Sequence, residues 1–420
     1  MIRPFYQVLL VLALPWVWVR LFVRARREPA YRQRRAERFG HVPPGLSTGV
    51  IWFHTVSAGE TNAAAPVIRA VQERFPDDTF LVTTMTPTGS ARVASLLGDT
   101  VEHCYAPYDY PWAVARFLRH VRPRALILME TELWPNLVEQ TASSGASVYL
   151  VNARLSERSY RGYRRIGSLV RRMLGRIDGI LCQYDDTAAR FRSLGAKSVE
   201  VTGSVKFDAE MPPDGFGVGD LGFGDAPVWI AGSTHGGEEA VVLDAHRQLR
   251  DRFPEAGLIL VPRHPERAAD VGRVVRDHGF STGLLSERAT GVDVLLGDVM
   301  GTLAHLYPHA GVAFVGGSLD GTGGHNPIEA AVHGVPVLMG PTRHDVEEIC
   351  ARFAAAGCFY PVEDAHDIAR IVGELFADPM RRAKEGAAAK SVVDANRGAR
   401  QAVVNRLCSW LGASEGSAAH

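Results

Sequence analysis

Residues 50–60 read VIWFHTVSAGE, and this stretch decides the fold class of the chain. The run 50–54 is short, mostly apolar and followed by a loop, which is the pattern of a buried strand. From residue 60 to residue 74 the apolar residues recur at the helical period. The stretch therefore predicts a strand, a loop and a helix, which is the repeating unit of α/β proteins with a parallel sheet.

The same unit repeats along the first half of the chain. Further short apolar runs lie at 79–84, 101–105, 125–129, 147–151, 177–182 and 198–201. Segments with helical periodicity lie between them, at 88–97, 112–120, 134–143 and 185–194. This alternation predicts a doubly wound parallel sheet with helices on both faces.

A second series of the same kind follows residues 207–227, which are rich in Gly, Pro and Asp and predict a linker. Its apolar runs lie at 228–232, 258–262, 292–296, 312–315 and 335–339, and its helical segments at 238–252, 265–278, 326–333, 346–356, 365–377 and 380–411. The sequence thus predicts two Rossmann-like domains. Because open α/β sheets bind ligands at the carboxyl ends of their strands, we expect a cleft between the domains with one substrate on each side.

The composition agrees with a folded protein of two or three domains. The chain has 420 residues, of which 46% are hydrophobic and 22% are charged. Its 46 basic and 46 acidic residues cancel, which argues against nucleic-acid binding over the whole surface. The five cysteines are widely spaced and form no CxxC pair, so a disulfide framework or a zinc site is not expected and a reducing compartment is favoured.

One strongly apolar tract lies at residues 4–23, and the segment from residue 3 to residue 38 contains nine arginines and two glutamates. No A-x-A cleavage site of a signal peptide follows the tract. Arginines in this position favour anionic headgroups on the cytoplasmic side of a membrane. We interpret residues 1–40 as an uncleaved membrane anchor, spanning or monotopic, with a basic juxtamembrane segment. The alternative is a buried core helix.

Two glutamates of the first half are candidates for acid–base chemistry. Glu60 opens the first helix and Glu130 ends an apolar strand, so both are expected at the carboxyl edge of the sheet. A carboxylate there can act as a general base or stabilise a cationic transition state. The alternative for Glu60 is a purely capping role at its helix, and Glu132 and Asn136 can cap the following helix.

Lys206 is the third candidate of the first half, because it stands at the predicted domain junction and the chain has only four lysines. A lysine in that position can neutralise a phosphate or a carboxylate. The alternative is a salt bridge between Lys206 and Asp208.

Loops of the second half are candidates for a nucleotide site. They span 232–238, 261–267, 297–302, 316–318 and 323–329. Their backbone amides can bind an anion, and Arg263 can form a fork with a phosphate. Asn326 and Glu329 are three residues apart at a predicted helix start, and a carboxylate there can accept both hydroxyls of a ribose. We expect His264 and Arg267 to have local structural roles.

Several of these stretches together resemble one family, the 3-deoxy-D-manno-octulosonic acid (Kdo) transferases. The similar stretches are HTVSAGE (54–60), TTMTPTGS (83–90), METELWPN (129–136), NARLSERS (152–159), GSVKFD (203–208), STHGGEE (233–239), VPRHPER (261–267) and GGHNPIEA (323–330). They occur in order over nearly the whole chain. The resemblance implies a glycosyltransferase of the GT-B fold that moves Kdo from CMP-Kdo to a lipid A precursor, lipid IVA, in the synthesis of the lipopolysaccharide inner core. It also implies a location at the cytoplasmic face of the inner membrane.

The resemblance also implies roles for particular residues. Glu60 matches the family's general base, and Glu130 and Lys206 match residues that stabilise the transition state. The residues that we expect at the CMP site are Ser233, Thr234, His235, Pro262, Arg263, Met300, Gly301, Thr302, Asn326, Pro327, Ile328 and Glu329. One departure is Thr302, where the family often has Glu.

On this basis we expect an anchor over 1–40, an acceptor-binding domain over 41–206, a linker over 207–227 and a CMP-sugar-binding domain with a terminal helix over 228–420. No Asp-x-Asp occurs, and CMP has a single phosphate, so neither a metal nor another cofactor is expected. The partners expected are CMP-Kdo, a lipid A precursor and anionic membrane lipids. Two alternatives remain: a sugar-nucleotide epimerase or hydrolase of the same fold, and a membrane-tethered nucleotide-sugar binding protein without catalysis.

Overall fold

The computed structural model describes residues 2–27, 29–208 and 221–418. The chain divides into two compact units. The first unit comprises Met1–Asp208 together with Arg397–His420, and the second unit comprises Ala209–Asn396. Residues 209–220 of the predicted linker lie outside the described residues.

The strands follow the predicted alternation. They are β1 Ile51–His54, β2 Phe80–Thr84, β3 Glu102–Tyr105, β4 Ala125–Met129, β5 Ser147–Ala153, β6 Gly179–Cys182, β7 Val199–Val201, β8 Val228–Thr234, β9 Gly257–Pro262, β10 Thr282–Leu284, β11 Val294–Leu296, β12 Val312–Val315, β13 Val337–Met339 and β14 Phe359–Pro361. The helices are α1 Ile2–Arg27, α2 Ala58–Gln72, α3 Pro87–Leu97, α4 Pro111–Val121, α5 Pro135–Ser143, α6 Glu157–Arg165, α7 Gly167–Leu174, α8 Asp185–Ser193, α9 Glu238–Arg250, α10 Ala268–Asp277, α11 Leu303–Leu306, α12 Ile328–Ala331, α13 Glu347–Ala355, α14 Ala365–Ala377, α15 Pro379–Ala395 and α16 Ala399–Ala418.

Each unit contains one parallel sheet of seven strands. The order is β3-β2-β1-β4-β5-β6-β7 in the first unit and β10-β11-β9-β8-β12-β13-β14 in the second. In the first sheet Phe53 lies opposite Val82 on one side and Ile127 on the other. The predicted fold class, α/β with two doubly wound domains, is therefore confirmed.

The first sheet is covered on both faces. Successive residues of β1 point to opposite sides of the sheet, and both sets are buried. Trp52 belongs to the buried cluster with Phe117 and Phe191, and Ile51 and Phe53 belong to the cluster on the other face. Such two-sided burial is the physical reason why the strands read as continuous apolar runs.

The terminal helix belongs to the first unit, which differs from the predicted domain boundary. Residues Val403 and Leu407 of α16 lie in the same buried cluster as Phe53. The indole of Trp410 stacks on the ring of Tyr149, with ring centroids 4.9 Å apart. It also lies where a side chain at Gly179 would stand, since a Cβ there would meet the indole at 2.3 Å. Periodicity alone could not show which sheet this helix covers.

Some short elements are not predicted from the sequence. The strands β10 and β14 have three residues each at the edges of the second sheet, where no continuous apolar run is needed. The helices α6 and α7 also go unpredicted, and the predicted helix 380–411 is broken after Ala395, with Gly398 at φ +94°.

The N-terminal helix α1 is not a core helix. The segment Tyr6–Arg26 is long and apolar enough to cross a membrane, and 11% of its most apolar stretch is buried. Its exposed side chains include Trp16 and Phe22. A few contacts tie α1 to the first unit, among them a hydrogen bond from the Tyr6 hydroxyl to Asp109 Oδ2 of 2.7 Å. This arrangement is consistent with membrane association.

Candidate active site

The carboxyl ends of β1, β4 and β5 are adjacent in the first sheet, and a charged cluster lies at this edge. It contains the three predicted catalytic residues, Glu60, Glu130 and Lys206. Lys206 Nζ lies 2.8 Å from Glu130 Oε1. The charges of Glu130 and Lys206 both act on the pKa of Glu60, so the three side chains share one electrostatic environment.

Glu130 is the centre of this cluster and is 3% exposed. It follows β4 with φ +52°, a left-handed conformation that costs a residue other than glycine roughly 1–2 kcal/mol. Its Oε2 lies 2.8 Å from Arg154 Nε, so that two cations hold one carboxylate. Burial alone would raise the pKa of Glu130, but Lys206 and Arg154 outweigh it and lower that pKa. Glu130 is therefore an ionised, fixed carboxylate.

Lys206 is positioned by the 3-10 turn Val205–Asp208. The backbone N–H of Val205 donates to Asn152 Oδ1 at 3.2 Å, and Asn152 follows the residues of β5 that pair with β4. The structural alternative for Lys206, a pair with Asp208, is wrong. The Asp208 carboxylate instead accepts the backbone N–H groups of Gly398 and Arg400, both at 2.7 Å.

Glu60 combines a capping contact with a raised pKa. Its Oε2 accepts the Val56 N–H at 2.9 Å, and its own N–H donates to the Ser57 hydroxyl at 3.3 Å. Among the described residues none donates to the second oxygen, Oε1. Burial first, and then the charges of Glu132 and Glu130, raise the pKa of Glu60 well above its ordinary value. A carboxylate whose pKa is moved towards neutrality is a more effective base at neutral pH.

Glu132 belongs to the charged edge, although the sequence does not predict a part for it in acid–base chemistry. Burial and the charge of Glu130 raise its pKa to about 7, although the Trp134 indole donates to Glu132 Oε2 at 2.8 Å. It does not cap α5, and neither does Asn136. The carboxylate of Asp109 does so, since its Oδ1 accepts the Leu137 N–H at 2.7 Å and its Oδ2 the Asn136 N–H at 3.1 Å.

His54 packs against Trp134, the residue whose indole donates to Glu132. It is fully buried, and burial lowers its pKa to about 3, so that the ring is neutral. Its Nδ1 lies 2.9 Å from the Thr83 hydroxyl, and its ring meets the Trp134 ring edge-on at 4.9 Å. His54 therefore packs Trp134 in the position from which the indole reaches Glu132.

The edge holds one carboxylate with a lowered pKa, Glu130, and two carboxylates with raised pKa values, Glu60 and Glu132. Glu130 stays ionised beside two cations, whereas burial and the charge of Glu130 raise the pKa of both Glu60 and Glu132, and the charge of Glu132 raises that of Glu60 further. Such an arrangement can take a proton from a bound hydroxyl. Arg154 and Glu132 stand inside the stretches NARLSERS and METELWPN, but the sequence analysis gives Arg154 no role and gives Glu132 only a capping role.

In the second unit the carboxylate of Glu238 organises the strand-end loops. Its Oε1 accepts the N–H groups of Ser318 and Leu319, both at 2.9 Å, and its Oε2 those of His235 at 2.9 Å and Gly317 at 2.8 Å. The sequence predicts that these amides point outward and bind an anion. This prediction is wrong for these four amides. They bind an internal carboxylate that is 1% exposed.

The predicted residues Ser233, Thr234 and His235 lie at the end of β8. The Thr234 hydroxyl donates to the buried Glu239 at 3.3 Å, and Ser233 has φ +58°. The His235 ring stacks on the His325 ring at a centroid distance of 5.1 Å, and their Nε2 atoms are 2.8 Å apart. The side chain of His235 is 21% exposed, and its Nδ1 lies 3.4 Å from Asp320 Oδ2.

Pro262 ends β9, and Arg263 follows it with its N–H donating to Thr234 O at 2.9 Å. Burial first, and then the charges of Arg263 and His235, lower the pKa of His325 to about 4, so Arg263 lies near the two histidines. Arg267 is a local structural residue, since its guanidinium lies 2.8 Å from the buried Glu239.

Two further predicted segments are also organised by local contacts. Met300 is 63% exposed and Gly301 has φ +84°, but the Thr302 hydroxyl donates to Val299 O at 2.8 Å. Thr302 is therefore directed into its own turn.

The predicted helix 326–333 is reduced to α12, Ile328–Ala331. Asn326 stands before it, and Asn326 Oδ1 accepts the Ile328 N–H at 3.2 Å. The spacing predicts that the side chains of Asn326 and Glu329 lie on one face of a helix. They do not, because Asn326 precedes the helix and Glu329 is within it. Pro327 and Ile328 are buried, whereas Glu329 is half-buried.

Within the described part of the chain, no group of three or more His, Cys, Asp or Glu side chains could hold a metal ion. The five cysteines are free and buried.

Comparisons with known proteins follow the same division of the chain. A family model described as 3-Deoxy-D-manno-octulosonic-acid transferase (kdotransferase) matches residues 33–209. Among solved structures, the S. aureus MnaA–UDP co-structure has a TM-score of 0.59 at 15% identity and covers 87% of this chain and 97% of its own. A UDP-GlcNAc 2-epimerase from Neisseria meningitidis bound to UDP-GlcNAc has a TM-score of 0.57 at 16% identity, covering 86% of this chain and 99% of its own. At these identities the two structures show the shared two-domain fold alone.

Two relatives are similar over almost the full length. A 3-deoxy-D-manno-octulosonic acid transferase of Haemophilus influenzae is 36% identical over 426 residues, covering 97% of this chain and 99% of its own. One of Bordetella pertussis is 35% identical over 417 residues, covering 95% of this chain and 97% of its own. With this identity over nearly the whole length, the chain belongs to the 3-deoxy-D-manno-octulosonic acid transferase family of glycosyltransferases.

Proposed function

We propose that this protein transfers Kdo from CMP-Kdo to a lipid A precursor, lipid IVA, with inversion at the anomeric carbon and without a metal. The observation that carries the proposal is the sheet edge of the first unit. There Glu60, with a raised pKa, shares its environment with a fixed cluster of Glu130, Lys206 and Arg154. Membership of the family supports Kdo as the sugar that is transferred, and the geometry of this edge supports the proposed acid–base step.

In the proposed reaction Glu60 takes the proton of the acceptor hydroxyl. The hydroxyl oxygen forms a bond to the anomeric carbon of Kdo as the bond from that carbon to the phosphate oxygen of CMP breaks. The electron pair of the broken bond leaves with CMP. Attack from the side opposite the leaving group inverts the configuration in one displacement, through an oxocarbenium-like transition state.

The cluster around Glu130 supports this transition state electrostatically. Two cations, Lys206 and Arg154, lie on the two oxygens of the Glu130 carboxylate. In our proposal Glu130 stabilises positive charge that develops on the sugar, and the two cations attract the carboxylate of Kdo or the phosphate that departs. Because the groups are held by the strand ends and by one another, they need little reorganisation during the reaction.

The second unit is proposed to hold CMP through Arg263, the His235–His325 pair, the loop with Met300 and Gly301, and Glu329. Arg263 is the natural partner of the phosphate because a guanidinium can form two parallel hydrogen bonds with it. A single phosphate monoester needs less neutralising charge than a diphosphate, which is why a metal is not part of the proposal.

The location proposed is the cytoplasmic face of the inner membrane. The exposed apolar segment Tyr6–Arg26 supports it, together with the arginines that accompany and follow that segment. Tryptophans and arginines in such a position favour the interface of a bilayer with anionic lipids.

The decisive experiment is incubation of the purified full chain with CMP-Kdo and tetraacylated lipid A precursor in detergent, followed by mass spectrometry of the lipid. The proposal predicts a lipid product heavier by one or more Kdo residues and one CMP released for each. Release of free Kdo without a lipid product would indicate a hydrolase. Binding of CMP-Kdo without turnover would indicate a binding protein, and either result would contradict the proposal.

A further inference from the structure

The helix α6 carries a basic surface outside the reaction site. Its sequence, ERSYRGYRR, contains four arginines and one glutamate, and it has no buried residue. Three of these arginines, Arg161, Arg164 and Arg165, line an open pocket of about 310 Å³. We call this pocket with its three arginines the α6 arginine pocket.

Among the described residues, these arginines have one acidic partner, Glu157, which is paired with Arg161. Arg161 Nε lies 2.9 Å from Glu157 Oε1, a pair in which the two side chains are 72% and 51% exposed. That contact uses one of the five N–H donors of the guanidinium. Glu157 is shared with Arg190, whose Nε is 3.5 Å away, and Arg164 lies over the Tyr160 ring at 5.8 Å. The pocket keeps a strong positive charge with many donors, which is the chemistry that recognises a phosphate.

The helix lies beside the reaction site. It begins three residues after Arg154, which is paired with Glu130. Tyr163, on the same helix, has its pKa raised by burial and by the charge of Glu132, so its phenol lies close enough to feel that carboxylate. Tyr160 and Tyr163 pack against the core, which leaves the arginines on the solvent side of α6.

The same segment is joined to the apolar N-terminal helix. Helix α7, which follows α6 after Ile166, is in contact with α1. Ile166 is 40% exposed, an apolar side chain directly beside the arginines. The arginines thus belong to a segment that contacts a membrane-compatible helix through α7 and lies near the reaction site through Arg154 and Tyr163. This combination fits a ligand that is both phosphorylated and lipidic.

We propose that the α6 arginine pocket binds a phosphate group of the lipid acceptor and thereby places the acceptor hydroxyl at the edge that carries Glu60. The proposal rests on the proposed function insofar as the acceptor is a phosphorylated glycolipid. It assigns the pocket to the acceptor itself and not to anionic lipids of the surrounding bilayer.

The test uses the full chain in micelles of a neutral detergent and the triple variant R161Q/R164Q/R165Q. The acceptor is offered as the phosphorylated lipid A precursor and as the same lipid after removal of its phosphates. We expect KM for the phosphorylated acceptor to rise about 10-fold, while kcat and KM for CMP-Kdo change less than about 2-fold. KM for the dephosphorylated acceptor should equal that of the unaltered protein.

Two control variants sharpen the result. R119Q/R122Q/R176Q removes three positive charges near the amino ends of β4 and β6, at the opposite edge of the same sheet, and should leave both KM values unchanged. R161K/R164K/R165K keeps the charge but loses the fork geometry, and should restore part of the affinity for the phosphorylated acceptor.

An unchanged KM for the phosphorylated acceptor in the glutamine variant would overturn the proposal. So would an equal rise for the dephosphorylated acceptor. A defect that occurs only when the micelles contain phosphatidylglycerol would assign the pocket to bilayer lipids, which also overturns it. If the unaltered protein transfers no Kdo, the proposed function fails, and direct titration of the same two lipids into protein and variant then decides the pocket separately.

Discussion

Two buried glutamates, Glu130 in the first unit and Glu238 in the second, stand at the carboxyl edges of their sheets and are neutralised in different ways. Glu130 is 3% exposed and is held by the side chains of Lys206 and Arg154. Glu238 is 1% exposed and is held by four backbone N–H groups. Side-chain cations leave charge at the edge for chemistry, whereas amides bound to a carboxylate fix the shape of loops. In our proposal the first edge therefore carries the reaction and the second holds CMP in preformed loops.

The largest effect should follow from removal of the proposed base, Glu60, at the first edge. Glu60→Gln keeps an oxygen that can accept the Val56 N–H but cannot take a proton, so we expect kcat to fall by about 10³-fold. Steady-state kinetics with CMP-Kdo and the lipid acceptor measures this. The matched control is Ser57→Ala, which removes the other capping contact, with a stability cost of about 1 kcal/mol and little change in kcat. An equal loss of kcat in both variants would show that Glu60 acts only as a helix cap and would contradict its role as the base.

The next largest effect should come from the cation that neutralises Glu130. Lys206→Met leaves Glu130 with Arg154 alone and removes positive charge from the edge, so we expect kcat to fall by about 10²-fold. The pKa of Glu130 should rise, because Lys206 is the stronger of the two cations that lower it. Lys197→Met, at an exposed lysine of the same unit, is the control and should behave as the unaltered protein. Full activity in Lys206→Met would leave the ion pair with a structural role only.

At the second edge the expected effect is on binding. Glu238→Gln removes the charge that holds four amides, so the loops at 235 and 317–319 should lose their fixed shape. We expect KM for CMP-Kdo to rise about 10-fold with a smaller change in kcat, together with a lower Tm in thermal unfolding. Glu266→Gln, at a side chain that is 73% exposed, is the control. A fall in kcat with an unchanged donor KM would contradict the division between the two edges.

A smaller effect is expected in the pH dependence of the first edge. In the proposed reaction Glu60 acts as a base only when it is deprotonated, so the rate should increase as pH rises through its raised pKa. Glu132→Gln removes a negative charge that raises this pKa, so the acid limb of the kcat profile should move to lower pH by about one unit. The glutamine still accepts the Trp134 N–H. An acid limb at the same pH in the variant would show that Glu132 does not act on Glu60.

Removal of metal ions is expected to have no effect on the reaction. Because the proposed reaction uses Lys206, Arg154 and Arg263 to balance the charge of one phosphate, dialysis against EDTA should leave the transfer rate unchanged. Activity that disappears with EDTA and returns with added magnesium would contradict the metal-free reaction at either edge.

Much of the fold follows from the sequence because both sheets are buried on two faces. Runs such as VIWFH and ALILM have no polar alternation, and this pattern predicts the central strands. The short edge strands β10 and β14 lack the pattern and escape prediction. The position of α16 depends on a surface left open on the first sheet, with Trp410 over Gly179, and no local pattern encodes it.

The candidate site shows the same division between local and non-local information. Glu60 and Glu130 could be placed from their positions after strands, and Lys206 from its rarity and its motif. Their partners could not, because Arg154 reaches Glu130 from another strand. The amides of Gly317 and Ser318 meet Glu238 from about 80 residues away in the chain. A glycine-rich loop indicates available amides, but only the folded structure shows that a carboxylate of the same unit has already bound them.

The central claim is that the first edge performs the chemistry while the second holds CMP, and one measurement tests it directly. It is the Kd of CMP for Glu60→Gln, determined by calorimetric titration beside the single-turnover rate of the same preparation. We predict a Kd within about 2-fold of that of the unaltered protein and a single-turnover rate lower by about 10³-fold. A retained rate, or a loss of CMP affinity in proportion to the loss of rate, would contradict the account.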